Sequence, residues 1–269
     1  MLSPTDFLTI AILGCAGGFI SGLLGVGGGI VFIPILQFYL ERSGVQDPEL
    51  VNFILANSLF VIIFSGLVIS RKQYRMGNLH PKPIIYTALP GMITCIAMTW
   101  LIEQGTWYDK KTFNIIFLCL LVPFAVRMLF NKKNDDNQNE VLPRGWVFSI
   151  TGFFTGIVTS LSGLGGGIVM VPVFTDVLRV RIKTATSIST GTIPFFALPI
   201  GIYYMQATCL TPLDSWQQGY VVFPLVLPLI LSVLVMAPLG VRTAHKVSPA
   251  VLRVTFALFA LGVIATRIW

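Results

Sequence analysis

Charged residues are scarce in this sequence, and their scarcity argues against a soluble globular protein. Lysine, arginine, aspartate and glutamate together make up 11% of the 269 residues, whereas hydrophobic residues make up 55%. Soluble domains carry roughly 25% charged residues. The mean hydropathy of +0.82 points the same way, so we expect a chain that lies in a lipid bilayer.

Acidic residues are rarer than basic ones, with 11 against 18. None of the 11 falls in the middle of a predicted membrane span. Glu103 and Asp176 come nearest, and both lie close to the end of a span. Intramembrane carboxylates are the usual proton carriers of pumps. A strong proton relay made of protein side chains is therefore not expected.

Motifs of catalysis and metal binding are missing as well. No Lys-Ser or Lys-Thr pair follows the glycine-rich segments, which argues against a P-loop, and no strand–helix unit surrounds them, which argues against a dinucleotide fold. The four cysteines form no C-x-x-C pair, and those in predicted spans are expected to behave as small apolar side chains. We expect no enzyme activity, no catalytic residue, no metal site, no cofactor and no nucleic-acid partner.

Long apolar stretches are abundant, and most have the roughly 20-residue length of a membrane-spanning helix. Two, 7–41 and 146–178, are too long for one helix and too short for two complete ones. Split at their glycines, they give arms of roughly 14–17 residues, about 21–26 Å long, against a hydrocarbon core of roughly 30 Å. Each is predicted to form a hairpin of two short helices. The other apolar stretches are 50–70, 83–102, 112–130, 184–206, 218–241 and 249–268.

The glycine segments of the two hairpins have nearly the same sequence, GVGGGIVFIP at 25–34 and GLGGGIVMVP at 163–172. Three successive glycines point around the whole circumference of a helix, so a packing stripe does not explain them. They expose backbone N–H groups, permit positive φ angles and stand where a new helix begins, which suits an anion. Packing or hinge geometry is the alternative. The predicted substrate-binding glycines are Gly27, Gly28, Gly29, Gly165, Gly166 and Gly167.

Other glycines are spaced by four and share one face of a helix. They are Gly14, Gly18 and Gly22 in the first stretch, and Gly152 and Gly156 in the second. Small residues at this spacing let two membrane helices approach closely, so we interpret them as packing positions. The triplet follows this face after four residues in the first copy and after eight in the second, so equal roles for the two triplets are not assumed.

Hydroxyl and amide side chains in the helices after the hairpins are suited to donate to an oxyanion. The strings ANS at 56–58 and ATS at 185–187 occupy corresponding places. Serine and threonine in membrane helices also bond back to their own backbone, and that alternative stays open. The predicted accessory residues are Asn57, Ser58, Thr186 and Ser187. Ser189 and Thr190 lie in the same apolar helix as Thr186 and Ser187 and could also face the loops. Second-rank candidates, which flank the breaks, are Ser21, Thr159, Ser160 and Ser162.

Basic residues divide unevenly between the loops. The loops 71–82, 127–144, 179–183 and 242–253 hold 14 of the 18 lysines and arginines. Because cytoplasmic loops carry an excess of these residues, we place the four loops in the cytoplasm and both termini outside. A multi-pass protein of the inner, cytoplasmic membrane is expected.

The repeat extends beyond the glycines, since a shift of 138 residues superposes Leu89-Pro90 on Leu227-Pro228. We divide the chain into a first membrane repeat, 1–130, a polar cytoplasmic linker, 131–145, and a second membrane repeat, 146–269. Five segments in each half is an odd number, so the second half must enter the membrane from the opposite side. The sequence therefore predicts an all-α integral membrane protein with two inverted repeats of five segments, each opening with a broken-helix hairpin, as in many secondary transporters.

The glycine string, present twice and each time at the head of a half, resembles the sulfite exporter TauE/SafE family, membrane transporters of the 4-toluene sulfonate uptake permease type. The resemblance covers nearly the whole chain. It implies transport of sulfite or a small sulfur-containing organic anion such as a sulfonate, with that anion and the lipid bilayer as partners. We expect a secondary transporter that acts as an exporter. A passive anion channel and a membrane redox or assembly protein are the alternatives, and no oligomeric state is indicated.

Overall fold

The computed structural model describes residues 4–46, 49–105, 108–130, 142–210, 212–213 and 216–248, with positions 251, 254, 261 and 262. Six of the described helices are long and apolar enough to cross a membrane, and the expected all-α membrane protein is confirmed. The helices are α1 (Pro4–Leu24), α2 (Gly29–Arg42), α3 (Glu49–Arg75), α4 (Pro81–Gln104), α5 (Lys110–Phe130), α6 (Gly145–Ser162), α7 (Gly167–Pro172), α8 (Ile182–Gln206) and α9 (Phe223–Ala244).

Three short elements interrupt or join these helices. A π-helical turn, Val173–Val177, continues α7, and strands β1 (Gln217–Gln218) and β2 (Val221–Val222) form a small antiparallel hairpin before α9. None of the three was predicted from the sequence. Residues 131–141 of the predicted linker and most of the predicted span 249–268 lie outside the described residues.

Both glycine-containing stretches fold as hairpins, as predicted. In the first, the beginning of α1 and the end of α2 lie together, since Arg42 forms an ion pair with Asp6 at 3.3 Å. In the second, Phe148 near the start of α6 packs against Phe174 in the π-helical turn, with ring centroids 5.4 Å apart. Each chain segment therefore enters the helix bundle and leaves it on the same side.

The first arm of each hairpin is longer than the predicted 14–17 residues. α1 has 21 residues and α6 has 18, which corresponds to about 31 and 27 Å. α1 extends beyond the apolar stretch because it begins at Pro4, and Asp6 in its first turn is favoured by the helix dipole. The second arm is shorter in the second hairpin, where α7 has only six residues.

The two halves exchange helices in the packed bundle. α1 of the first half packs along α9 of the second, α6 of the second half packs along α4 of the first, and α3 and α8 pack together. The predicted packing glycines lie at these contacts. A methyl group on Gly18 would lie 2.9 Å from the Cα atom of Val233 in α9, and methyl groups on Gly152 and Gly156 would meet the backbone of α4. Their assignment to helix packing is confirmed.

Three of the four loops rich in basic residues meet at one end of the bundle. Asn78 donates from Nδ2 to the carbonyl of Lys183 at 3.0 Å, and His245 Nε2 lies 3.4 Å from Gln73 Oε1. Residue Gly145, which opens the second hairpin, lies against Tyr86 near the start of α4 at this same end. The first hairpin opens toward the other end, where α3 begins. The two hairpins thus enter from opposite ends.

Candidate anion-binding site

The two glycine loops, residues 25–28 and 163–166, lie halfway along the central helices. A methyl group on Gly27 would lie 3.1 Å from Cδ1 of Ile193 and 3.4 Å from Cγ2 of Ile62. A methyl group on Gly165 would lie 2.9 Å from Cγ2 of Ile62 and 3.5 Å from Cγ2 of Ile193. Ile62 is the fourteenth of 27 residues in α3, and Ile193 is the twelfth of 25 in α8. Both loops therefore flank one pair of side chains at mid-depth.

The backbone of each loop has the left-handed conformation that the sequence predicted for the glycines. The φ angles are +86° and +81° at Gly27 and Gly28, and +72° and +75° at Gly165 and Gly166. Gly28 and Gly166 are the N-caps of α2 and α7. A left-handed residue followed by a helical one turns successive N–H groups toward a common side, which forms an anion-binding concavity.

The N–H groups of the two glycine triplets, Gly27–Gly29 and Gly165–Gly167, belong to buried residues and are unpaired among the described residues. Among the described residues, no hydrogen-bond acceptor serves the backbone N–H of the six predicted binding glycines, Gly27, Gly28, Gly29, Gly165, Gly166 and Gly167. Nearly all buried backbone N–H groups in proteins have a partner, and an unpaired one costs several kcal/mol in a membrane. These six N–H groups are therefore available to an acceptor outside their own helices.

The two loops touch each other directly. A methyl group on Gly29 would lie 2.9 Å from the Cα atom of Leu164, and one on Gly167 would lie 2.6 Å from the Cα atom of Val26. The third glycine of each triplet thus serves close backbone approach, while the first two carry the positive φ angles. The packing interpretation therefore holds for the third glycine of each triplet, and anion binding by the triplets stays a prediction.

A serine hydroxyl fixes one carbonyl of each loop. Ser189 in α8 donates to the carbonyl of Gly25 at 3.0 Å. The hydroxyl of Ser58 in α3 is shared between the carbonyl of Gly163 at 3.4 Å and that of Leu55 in its own helix at 3.2 Å. The geometry therefore pairs Ser58 with Ser189, a shift of 131 residues, whereas the alignment of the ANS and ATS strings paired it with Ser187. The same shift relates Ile62 to Ile193.

Of the four accessory residues, Ser58 and Thr186 lie against the loops. A methyl group on Gly25 would come within 2.6 Å of Cβ of Thr186, whose hydroxyl donates to the carbonyl of Lys183 at 3.0 Å. Ser187 donates instead to the carbonyl of Asn78, near the basic end of the bundle. Its hydroxyl is directed away from the loops.

Asn57 anchors the β hairpin that precedes α9. Its Nδ2 donates to the carbonyls of Phe53 at 2.7 Å and Tyr220 at 2.9 Å, and its Oδ1 accepts from the N–H of Val222 at 2.8 Å. Both amide hydrogens and the amide oxygen are thus occupied by the backbone. The structure brings Asn57 to this hairpin and not to the glycine loops.

Charged groups stand at the two ends of the bundle. At the end where α3 begins, Glu49 accepts from the N–H of Leu210 at 2.8 Å and from the hydroxyl of Tyr220 at 3.2 Å. At the basic end, the pKa of His245 lies below its ordinary value because burial, with Lys183 and Lys72 nearby, disfavours the charged form. The side chains nearest the methyl positions of the loop glycines, among the described residues, are uncharged.

The sequence comparison fixes the family. The model of the family "Sulfite exporter TauE/SafE" matches residues 10–267. The chain belongs to this family. TauE/SafE membership and the apolar helices together make it a multi-pass membrane protein of a transporter family, which implies a lipid environment and a small-molecule substrate.

Relatives of this TauE/SafE protein carry a consistent description. A probable membrane transporter protein of Methanocaldococcus jannaschii is 27% identical over 91% of this chain and 89% of its own length. Another, from Haemophilus influenzae, is 28% identical over 96% of this chain and 97% of its own. A third, from Bacillus subtilis, is 26% identical over 62% of this chain and 66% of its own. Their names indicate transport rather than an enzymatic reaction.

Proposed function

We propose that this protein is a secondary transporter that exports sulfite, or a small sulfur-containing organic anion, across the inner membrane. The anion binds between the two glycine loops, on the N–H groups of Gly27–Gly29 and Gly165–Gly167. The observation that carries the proposal is that these N–H groups belong to buried residues, are unpaired among the described residues and are brought together at mid-depth. Each set also stands at a helix N-terminus, where an anion is favoured.

The absence of charge around the loops favours one class of anion. A site of backbone dipoles without a fixed cation compensates one negative charge more readily than two, because burying charge is costly. Sulfate carries two charges and loses more hydration on entering. Sulfite, which is partly protonated near neutral pH, and a monoanionic sulfonate are therefore the preferred substrates over sulfate.

The exchange of helices between the halves supports transport rather than binding alone. Each first arm packs on the other half, and the hairpins enter from opposite ends. In a protein built from two inverted repeats, the repeats can exchange conformations. The binding site is then open to one side of the membrane in one arrangement and to the other side in the second. We infer that the loops form a fixed site to which access alternates.

The proposal is tested with purified protein in liposomes. We expect saturable uptake of labelled sulfite or a short sulfonate, and counterflow, in which unlabelled anion inside accelerates uptake. Gly27→Ala should weaken anion binding strongly. Its methyl would lie 3.1 Å from Cδ1 of Ile193, and alanine is strained at the φ angle of +86° that this position has. Gly44→Ala is the matched control, since Gly44 has a φ of +87° with no atom within 4 Å of the added methyl.

Three outcomes of this assay separate the functions. Uptake that does not saturate and shows no counterflow indicates a passive channel. Equal losses in Gly27→Ala and Gly44→Ala indicate general strain and count against the loops as the site. No uptake of any sulfur anion by the wild type refutes the substrate class.

The orientation is tested by cysteine labelling in intact cells, after the native cysteines are replaced. A cysteine at position 137 should be protected from a membrane-impermeant reagent, and one at position 212 should react. The reverse pattern would refute the proposed orientation, in which the basic loops are cytoplasmic.

A further inference from the structure

Ile62 and Ile193 lie against both glycine loops, beside Gly27 and Gly165. Both side chains are fully buried, with no exposed surface. Each lies within 3.5 Å of the methyl positions of both Gly27 and Gly165. An anion that reaches both loops therefore has to pass these two side chains.

The loops cannot make room for such a passage by themselves. Gly29 lies against the backbone of Leu164, and Gly167 lies against the backbone of Val26, so a shift of either loop displaces the other. The isoleucine side chains, in contrast, can change rotamer without moving the backbone. They are the movable groups at the contact between the loops.

The lining that these side chains provide is aliphatic. One turn before each isoleucine, Ser58 and Ser189 carry hydroxyls, but these already donate to backbone carbonyls, among them those of Gly163 and Gly25. Cγ2 of Ile193 also lies 3.3 Å from the methyl position of Gly66, beside Pro194. Methyl groups cannot replace the water around a strongly hydrated ion.

We infer that Ile62 and Ile193 form an apolar barrier beside both glycine loops and determine which anion passes it to reach them. An anion with a single charge and an apolar or weakly hydrated side passes between the methyl groups. Sulfate, with two charges and a complete hydration shell, is held back. The inference rests on the proposed function and adds the two residues that set its selectivity.

The test compares rates of sulfite and sulfate uptake into liposomes by the full-length protein. In the variant I62A/I193A, the ratio of sulfate to sulfite uptake should rise about tenfold, since discrimination by one or two methylene groups is of this order. Sulfite affinity should stay within about threefold of the wild type, because the donors are backbone N–H groups. The milder variant I62V/I193V should shift the ratio in the same direction, by about threefold.

The matched control is I69A/I200A. Ile69 and Ile200 follow the two barrier residues by seven positions on the same helices, and they are 0% and 1% exposed. Truncating them removes the same number of buried atoms two turns away. The selectivity of this control should remain that of the wild type.

The outcomes distinguish the two levels of the proposal. If both barrier variants still bind sulfite and keep the wild-type ratio, or if the control changes the ratio as much, the barrier is refuted while the proposed function stands. If the wild type neither binds nor transports sulfite or a sulfonate, the proposed function fails and the barrier with it. A raised ratio confined to the barrier variants supports the inference.

Discussion

The two glycine hairpins share a loop conformation but differ in what surrounds it. In the first, the ring of Phe32 and Cβ of Ser21 face Gly28, at 2.6 and 3.1 Å from its methyl position. In the second, Cγ2 of Thr155 and the hydroxyl of Thr159 face Gly166, at 2.5 and 2.6 Å. The group nearest the glycine is thus an aromatic ring in the first loop, whereas in the second two threonines are nearest and the ring of Phe196 lies farther away, at 3.3 Å.

The return arms differ as well. α2 continues as a regular α-helix of 14 residues, and a cavity of about 420 Å³ opens beside it, lined by residues that include Leu13, Pro34 and Phe38. α7 gives way after six residues to the π-helical turn Val173–Val177. π-helical turns inside helices are frequent at functional sites.

This difference indicates that the two hairpins have unequal roles. The first hairpin is held by the buried ring of Phe32 and by a hydrogen bond of 2.6 Å between the hydroxyls of Ser21 and Ser65. Among the described residues, the hydroxyls of Thr155 and Thr159 donate within α6, to the carbonyls four residues earlier. We expect the hydroxyl of Thr159 to turn from the carbonyl of Thr155 to a bound anion. We interpret the first hairpin as the more rigid half-site and the second as the more polar one.

The largest expected effect comes from the loop contact itself. Gly167→Ala should destabilise the protein by about 3 kcal/mol and Gly29→Ala by about 1–2 kcal/mol. The methyl on Gly167 would meet three backbone atoms of Val26 within 2.8 Å, whereas the methyl on Gly29 would meet one backbone atom of Leu164 at 2.9 Å. Thermal unfolding in detergent measures the two losses of stability. Equal losses in Gly167→Ala and Gly29→Ala would contradict the predicted difference.

Double-mutant cycles measure how strongly each loop glycine is coupled to the side chain nearest its methyl position, Phe32 in the first loop and Thr155 in the second. Gly28→Ala should couple to Phe32→Leu by about 1–2 kcal/mol, because the substitution removes the two ring atoms nearest the new methyl. Gly166→Ala should couple to Thr155→Ser by only about 0.5 kcal/mol, since the hydroxyl of Thr159 still obstructs the methyl. Zero coupling in the first cycle would contradict the role given to Phe32.

Removing a hydroxyl should affect stability in one hairpin and binding in the other. Ser21→Ala breaks the Ser21–Ser65 hydrogen bond in a buried place and should cost about 1–2 kcal/mol of stability. Thr159→Val should leave stability nearly unchanged but weaken anion binding about fivefold, the effect of one lost hydrogen bond. Binding left intact by Thr159→Val would refute the polar role of the second half-site.

The smallest effect is a pH dependence at the basic end, into which the second hairpin opens. The pKa of His245 is lowered in the folded state. The contribution of His245 to the free energy of unfolding is therefore complete when the pH lies above the ordinary histidine pKa, and it is lost as the pH falls below that pKa. The loss should be only about a few tenths of a kcal/mol, since the ring is partly exposed. His245→Gln should remove this part of the unfolding profile between pH 8 and 5.5, and an unchanged profile would assign it to other groups.

Much of the fold follows from the sequence because hydrophobic length and glycine chemistry are local signals. The stretch 83–102 is α4, 112–130 is α5 and 184–206 is α8, to within two residues at each end. The positive φ angles of the triplets were also predictable, since three adjacent glycines are the residues that adopt them without strain.

The side chains that contact the glycine loops were harder to predict from the sequence. Isoleucine in an apolar helix has no distinguishing signal, so Ile62 and Ile193 were missed, although a shift of 131 would have aligned both them and the serines one turn before them. Asn57 was assigned to the loops because ANS and ATS occupy corresponding places, and nothing in residues 217–222 indicates the two short strands that it binds instead. The tertiary contact, not the local pattern, decides what that amide binds.

The central claim, that backbone N–H groups of both loops bind one anion, is tested most directly by NMR of the protein labelled with ¹⁵N-glycine in nanodiscs. Titration with sulfite, and separately with methanesulfonate, should shift the amide resonances of Gly27–Gly29 and Gly165–Gly167. Both loops should saturate with one dissociation constant, while Gly44 and Gly77, in open turns, stay unchanged. Resonances of the six loop glycines that do not move at concentrations where the anion is transported would contradict the account.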